Sequence, residues 1–243
     1  MKNNMSQLHI AKSHLTNTAT RALTLSTAAV LGLALMYMLV EPQITRSQID
    51  ETFTIQTTII GESSFLVPPS DVTMTGTLNG LTGGVATGST QFVVQSNSAT
   101  GYTVDIFFPT NGTGNAMLGD STASEALLDY QGDVGGTEPS YGIIASPTDS
   151  AQFSYTVLSS TTSDTPQSFR NSGASCNEIA GTAAGNCFKS PETSDFLIAT
   201  RSGPASSGAT STIVFNVTVP NNPTPVPSAE GYTATATLSL ISI

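Results

Sequence analysis

Five carboxylates fall within nineteen residues near the middle of this sequence: Asp120, Glu125, Asp129, Asp133 and Glu138. Hard cations are bound by oxygen ligands of this kind, so calcium is the cofactor these acids could hold. The spacing is not that of an EF-hand, because the ladder of alternating ligands and its closing Glu are missing. Two carboxylates across a cleft can also cleave a glycosidic bond. The chain has no Trp to offer a sugar ring a platform. The other reactive pair is Cys176 and Cys187, separated by the short polar run NEIAGTAAGN. A disulfide is expected there, and closing a loop of that size is worth roughly 3 kcal/mol in the chain-entropy account.

Other chemistry is excluded by residue type. His9 and His14 are the only histidines. Beyond residue 14 no imidazole exists to activate a Ser or Cys nucleophile or to complete a zinc site. The run Gly80 to Gly88 has glycines but no Lys and no following helix, so it is no phosphate loop. A Lys–Asn crosslink would have to use Lys189, beside the cysteine loop. Asn111-Gly-Thr113 and Asn216-Val-Thr218 fit the glycosylation acceptor pattern, with Asn216 in mid-strand. The expectation is a non-enzymatic protein.

The position of these groups is set by residues 22–40, ALTLSTAAVLGLALMYMLV, which carry no charge. At about 1.5 Å per residue a helix of this length reaches roughly 28 Å, close to the hydrocarbon thickness of a bilayer. Lys2, Lys12 and Arg21 precede it, and Glu41, Asp50 and Glu51 follow. The positive-inside rule then predicts a cytoplasmic tail at 1–21, a transmembrane anchor or uncleaved signal at 22–40, a connector at 41–50 and an extracellular domain at 51–243. No small-x-small site closes the segment; were it cleaved, the protein would be secreted. All seventeen acids lie beyond Val40, against the four cations Arg46, Arg170, Lys189 and Arg201. Such a surface repels nucleic acid.

The body reads as all-β. Alternation of apolar and polar residues predicts strands at 52–60 (Phe53, Ile55 and Ile59 on one face), 71–78, 153–158, 195–200, 212–219 and 231–243. Shorter strands are read at 65–67 and 141–145. Residues 91–95 and 101–108 read as a pair joined by SNSAT. Residues 79–88 read as a glycine-rich loop, 125–130 as a turn or two of helix, and 159–193 as a long polar stretch held by the disulfide. The sum is an extracellular antiparallel β-sandwich of about nine or ten strands. Ser98-Ala99-Thr100-Gly101-Tyr102-Thr103 is echoed by Ser228-Ala229-Glu230-Gly231-Tyr232-Thr233, which suggests equivalent hairpins on opposing sheets or two related halves.

The Cys176/Cys187 pair and the ending Gly231 to Leu238, Gly-Tyr-Thr-x-Thr-x-Thr-Leu in outline, resemble a loose group of membrane-anchored surface β-sandwich proteins of small-genome candidate-phylum bacteria. The resemblance spans most of the chain diffusely and lends no activity. The expected role is therefore structural or adhesive: a sandwich displayed outside the membrane, held by 22–40, meeting a cell-surface protein or glycan. The first alternative is a polymerising pilin-like or surface-layer subunit. The terminal strand is bare of charge, and its edge, with Tyr232, Leu238 and Leu240, could pair with another chain. The second alternative is a calcium- or glycan-binding surface module.

Overall fold

A computed structural model describes residues 21, 23–38, 54–110, 112–122, 124–132, 140–141, 149–173, 175–181 and 187–243. The chain divides into two units, Met1–Thr57 and Thr58–Ile243. In the first, residues 23–38 are helical and solvent-exposed. The hydroxyls of Thr24, Ser26 and Thr27 donate back to the carbonyls of Arg21 (3.1 Å), Leu23 (2.9 Å) and Leu23 (2.8 Å). This satisfies side chains that would otherwise cost energy in an apolar medium. Among the described residues no helix is long and apolar enough to cross a membrane. Residues 22, 39 and 40 of the apolar run lie outside them.

The second unit is mostly strand, in two main sheets curled against each other like a sandwich. Its strands among the described residues are β1 (Ser63–Val67), β2 (Thr75–Asn79), β3 (Gly83–Ser96), β4 (Tyr102–Phe107), β5 (Met117–Gly119), β6 (Ala126–Asp129), β7 (Ser140–Tyr141), β8 (Gln152–Ser159), β9 (Cys187–Phe188), β10 (Phe196–Arg201), β11 (Ala205–Val219), β12 (Tyr232–Ala234) and β13 (Thr237–Ser242). The large sheet runs β1-β3-β11-β8-β6-β5-β12, with β2 also on β3. The small one runs β10-β4-β13. All pairs are antiparallel except β6 with β8. Between the sheets lie Phe92, Val94, Val104, Ile106, Tyr155, Val157, Ile198 and Ile213, all essentially inaccessible to water.

Several sequence expectations are corrected. Residues 54–60 form no strand, and Ile55, Ile59 and Ile60 are each more than 80% exposed. The alternation is there, but no strand of this chain pairs with it among the described residues. The run 79–88 is not a loop: from Gly83 it is strand, enclosed between β2 and β11. Glycines on the two facing strands, Gly76 in β2 and Gly84 in β3, admit close backbone approach. A Cβ on Gly76 would meet Val85 O and one on Gly84 would meet Thr77 O. Residues 126–129 are strand rather than helix, held by β5 and β8. SNSAT does not close a hairpin, because β3 and β4 belong to different sheets. Gly101, at φ +94°, makes the crossing where its neighbour Arg201 O leaves no room for a side chain. The predicted single strand 231–243 is two, β12 in the large sheet and β13 in the small.

The polar stretch 159–193 is more ordered than its composition suggests. It holds two 3-10 turns, Thr162–Asp164 and Gln167–Phe169, and the Cys176–Cys187 disulfide with its Cα atoms 5.8 Å apart. Phe169 is fully buried against Tyr155 and Phe196. Lys189, nearly buried, reaches Glu192 at 2.6 Å and lies over the Phe196 ring.

Candidate groove and strand edge

Where β12 passes to β13, the chain leaves one sheet and joins the other. A groove of about 580 Å³ opens there. One wall is 69–74, the link from β1 to β2, with Val72 and Met74. The other is 232–238, with Ala236 and Leu238. The floor is aromatic and aliphatic, chiefly Phe108, Phe153 and Phe215. Phe108 and Phe153 are buried; Phe215 and Met74 are only half-buried.

β13 enters this groove at Leu238; it pairs with β4, in the register Leu238↔Ile106 and Leu240↔Val104, and β1 lies close to it. Ile243 N–H donates to Gly101 O at 3.0 Å, so Ile243 sits in a hydrogen-bonded pair with Gly101. Alternation along an antiparallel ladder then turns the N–H and C=O of Leu238, Leu240 and Ser242 away from β4. No strand pairs with that side among the described residues. Leu238 and Leu240 pack their side chains on the core while their backbones face outward. Tyr232 is not part of this edge: it belongs to β12 and pairs with Gly119.

Of the five predicted acids, Asp120, Glu125 and Asp129 lie among the described residues. Asp120 is exposed at the turn after β5, and its N–H donates to Gly231 O at 2.9 Å. Asp129 accepts from Ala116 N–H at 2.9 Å. Asp133 and Glu138 lie outside the described residues. Among the described residues no three His, Cys, Asp or Glu side chains are grouped to hold a metal ion. Asn216 is buried in β11, where its amide donates to Thr218 Oγ1 at 3.0 Å; a glycan has no access to it in the fold. Asn111 lies outside the described residues.

Glu125 and Glu230 act as staples around the start of β12, and Glu230 also lines the groove. Glu125 accepts from Ser228 N–H and Ser228 Oγ, both at 2.5 Å, and from the Tyr232 hydroxyl at 2.6 Å. Glu230 Oε2 accepts from the N–H groups of Ser121 (2.5 Å) and Thr122 (3.1 Å). Its other oxygen has no hydrogen-bond partner, and the residue lines the groove. The echoed motifs open strands of different sheets, β4 in the small and β12 in the large, and their contacts differ. Where Glu230 stands in one, Thr100 stands in the other, and Thr100 donates to Ile243 O. Sequence reading missed Glu230 and the 69–74 wall. The only signal was the echo itself, which gave the position but not the job.

The hydrogen bonds from Ser228 Oγ, then Tyr232, then Ser228 N–H hold the Glu125 carboxyl below its ordinary value of 4.5. Burial and the bond to Glu125 push the Tyr232 hydroxyl well up. A carboxyl lowered by folding makes its full contribution above pH 4.5 and loses it as pH falls through the folded value. Unfolding at acid pH takes up the proton that the native staple refuses. Glu125→Gln should therefore flatten the acid side of the stability profile and leave the profile above pH 6 parallel to that of the native protein, as read from urea midpoints between about pH 3 and 7. An unchanged acid limb would remove the staple.

No protein-family model and no curated protein matches this chain.

Proposed function

We propose that this is a non-enzymatic cell-surface protein of structural or adhesive type, with residues 22–40 as its membrane anchor, its N-terminus in the cytoplasm and the sandwich outside. The observation that carries the reading is the Cys176–Cys187 disulfide. Disulfides persist in oxidising compartments and are rare in the cytosol. The body that contains it follows an uncharged segment with cations before it and acids after it. The charge bias and the disulfide support the same side of the membrane independently. The helical conformation of 23–38, with its hydroxyls turned back onto carbonyls, suits a lipid surround.

The test is fractionation of cells producing the full chain. The protein is expected in the membrane pellet, resistant to alkaline carbonate wash. Protease added to spheroplasts should degrade the body, and its two cysteines should resist alkylation until reduced. Recovery in the soluble cytoplasmic fraction with free thiols would end the proposal.

A further inference from the structure

The groove between 69–74 and 232–238 lies wholly within the unit Thr58–Ile243. Its volume of about 580 Å³ falls inside the range of small-molecule sites, ~300–1,000 Å³. The lining has two parts. The first is carbon. Phe215 stacks on Phe153, with ring centroids 6.1 Å apart and planes at 23°, and Met74, Met117 and Leu238 flank them. Phe215, Met74 and Leu238 are only half-buried, so part of this apolar surface meets water.

The second part is charge of one sign. Asp71 and Glu230 line the groove, and no Lys, Arg or His does. Asp71 is exposed. Glu230 takes the N–H groups of Ser121 and Thr122 on Oε2, while its buried Oε1 has no hydrogen-bond partner. Carboxylates set beside a low-dielectric apolar wall focus a negative potential into the slot between. An aromatic ring adds to it, because its face is attractive to a cation. We infer that the groove binds an organic cation, an ammonium group carried on an apolar or aromatic body. The body would lie on the Phe215 side of the lining, with its charge in the field of Asp71 and Glu230. The inference goes beyond the surface reading and does not rest on it, since every lining residue belongs to the body.

Charge and shape together favour this class over the others. An anion would enter beside two carboxylates with no cation to receive it. A neutral apolar molecule gains the aromatic floor but nothing from the field. A bare divalent ion needs several oxygen ligands converging on one point. Among the described residues no three acidic, Cys or His side chains are so grouped, and the carbon floor offers an ion nothing. A second copy brings the wrong charge, because the chain has seventeen acids against seven Lys and Arg. Only a molecule that is both cationic and apolar uses the two parts of the lining at once.

The experiment uses the full chain in lipid nanodiscs, labelled with carbon-13 at the methionine methyls and followed by NMR. Of the six methionines, Met74 and Met117 line the groove, and Met1, Met5, Met36 and Met38 lie before residue 39. The probes are benzyltrimethylammonium, benzyl alcohol and benzenesulfonate, which share a ring and differ in charge. The cation should shift Met74 and Met117 saturably and bind at least about tenfold tighter than the alcohol, while the sulfonate leaves both signals in place. Asp71→Asn should weaken the cation by about threefold, the effect of one exposed charge, and leave the alcohol unchanged. Glu230→Gln should weaken the cation further. That variant also disturbs the bonds to Ser121 and Thr122, so if its melting temperature falls, Asp71→Asn alone decides the charge requirement. No saturable shift with the cation would overturn the inference. So would equal affinity for the alcohol, a response to the sulfonate, or cation binding indifferent to Asp71→Asn. Shifts confined to Met1, Met5, Met36 and Met38 would place the probe at the N-terminal segment and overturn it too. Concentration-dependent shifts of Met74 and Met117 without any probe would give the groove to a second copy instead.

Discussion

Replacing Phe108 with alanine should lower the stability of the body by about 4 kcal/mol, the middle of the range for a buried aromatic. Phe108 follows β4 directly and is 1% exposed. Its ring meets Phe153 edge-on at 6.1 Å and Tyr155 at 5.4 Å. Those two belong to β8, so Phe108 is a principal contact between the small sheet and the large. From Tyr155 the ring contacts continue to Phe169 and Phe196, and from Phe153 to Phe215. Truncation would therefore remove transfer energy and leave a cavity that opens onto the groove. Val67→Ala, by contrast, touches a residue 46% exposed and should cost under about 0.5 kcal/mol. Urea denaturation of both variants checks the pair. If the two costs were similar, the sheets would not be joined at this cluster.

The same ring shows why part of the fold was legible in the sequence. Tyr102, Val104, Ile106 and Phe108 alternate without interruption, and their burial follows that alternation. In β11 the alternation holds at Ile213, Val217 and Val219 but breaks between them, where Phe215 is only half-buried and Asn216 is buried. Period-two patterning reports which face is buried, and here it did. It does not report which strand lies alongside. Residues 91–95 and 101–108 were each strands, but pairing is decided by what the turn permits. Gly101 sends the chain to the other sheet. The glycine run 83–88 failed for a related reason. Its lack of side chains reads as looseness in one dimension and as close strand approach in three.

The groove was illegible for a further reason. Its walls, 69–74 and 232–238, are more than 150 residues apart, and neither is a continuous strand. Part of the β13 edge could be seen, since the uncharged ending marked Leu238 and Leu240. The strand read at 52–60 is not formed over 54–60, where alternation alone did not decide the structure. Alternation states that a face wants burial, not that the same molecule provides it.

Arg201→Met should cost roughly 2–3 kcal/mol, most of it from the charge left behind. Arg201 ends β10, and its Nη1 donates to Asp164 Oδ2 at 2.7 Å. Its Nε donates to Pro204 O at 3.2 Å. The Asp164 side chain is 8% exposed, whereas that of Arg201 is 30% exposed. The acid is thus the desolvated partner, and the cost falls below the full range for a wholly buried pair. Tyr102 faces Arg201 across the β4–β10 ladder. Burial first, and the Asp164 charge second, push its hydroxyl up to about 12. Without the guanidinium, the carboxylate would face that phenol with no cation between β10 and the Thr162–Asp164 turn. Asp164→Leu combined with Arg201→Met should recover part of the loss, because apolar packing can replace a buried pair. A double-mutant cycle in urea, with a coupling of about 1–2 kcal/mol, is the expected result. The pair's structural role gives a second readout. Asp164 lies on the excursion that carries the disulfide, so Arg201→Met should speed amide exchange at 162–170 ahead of the sheets. Uniform exchange with zero coupling would mean that the disulfide and Phe169 alone hold that segment to the sandwich.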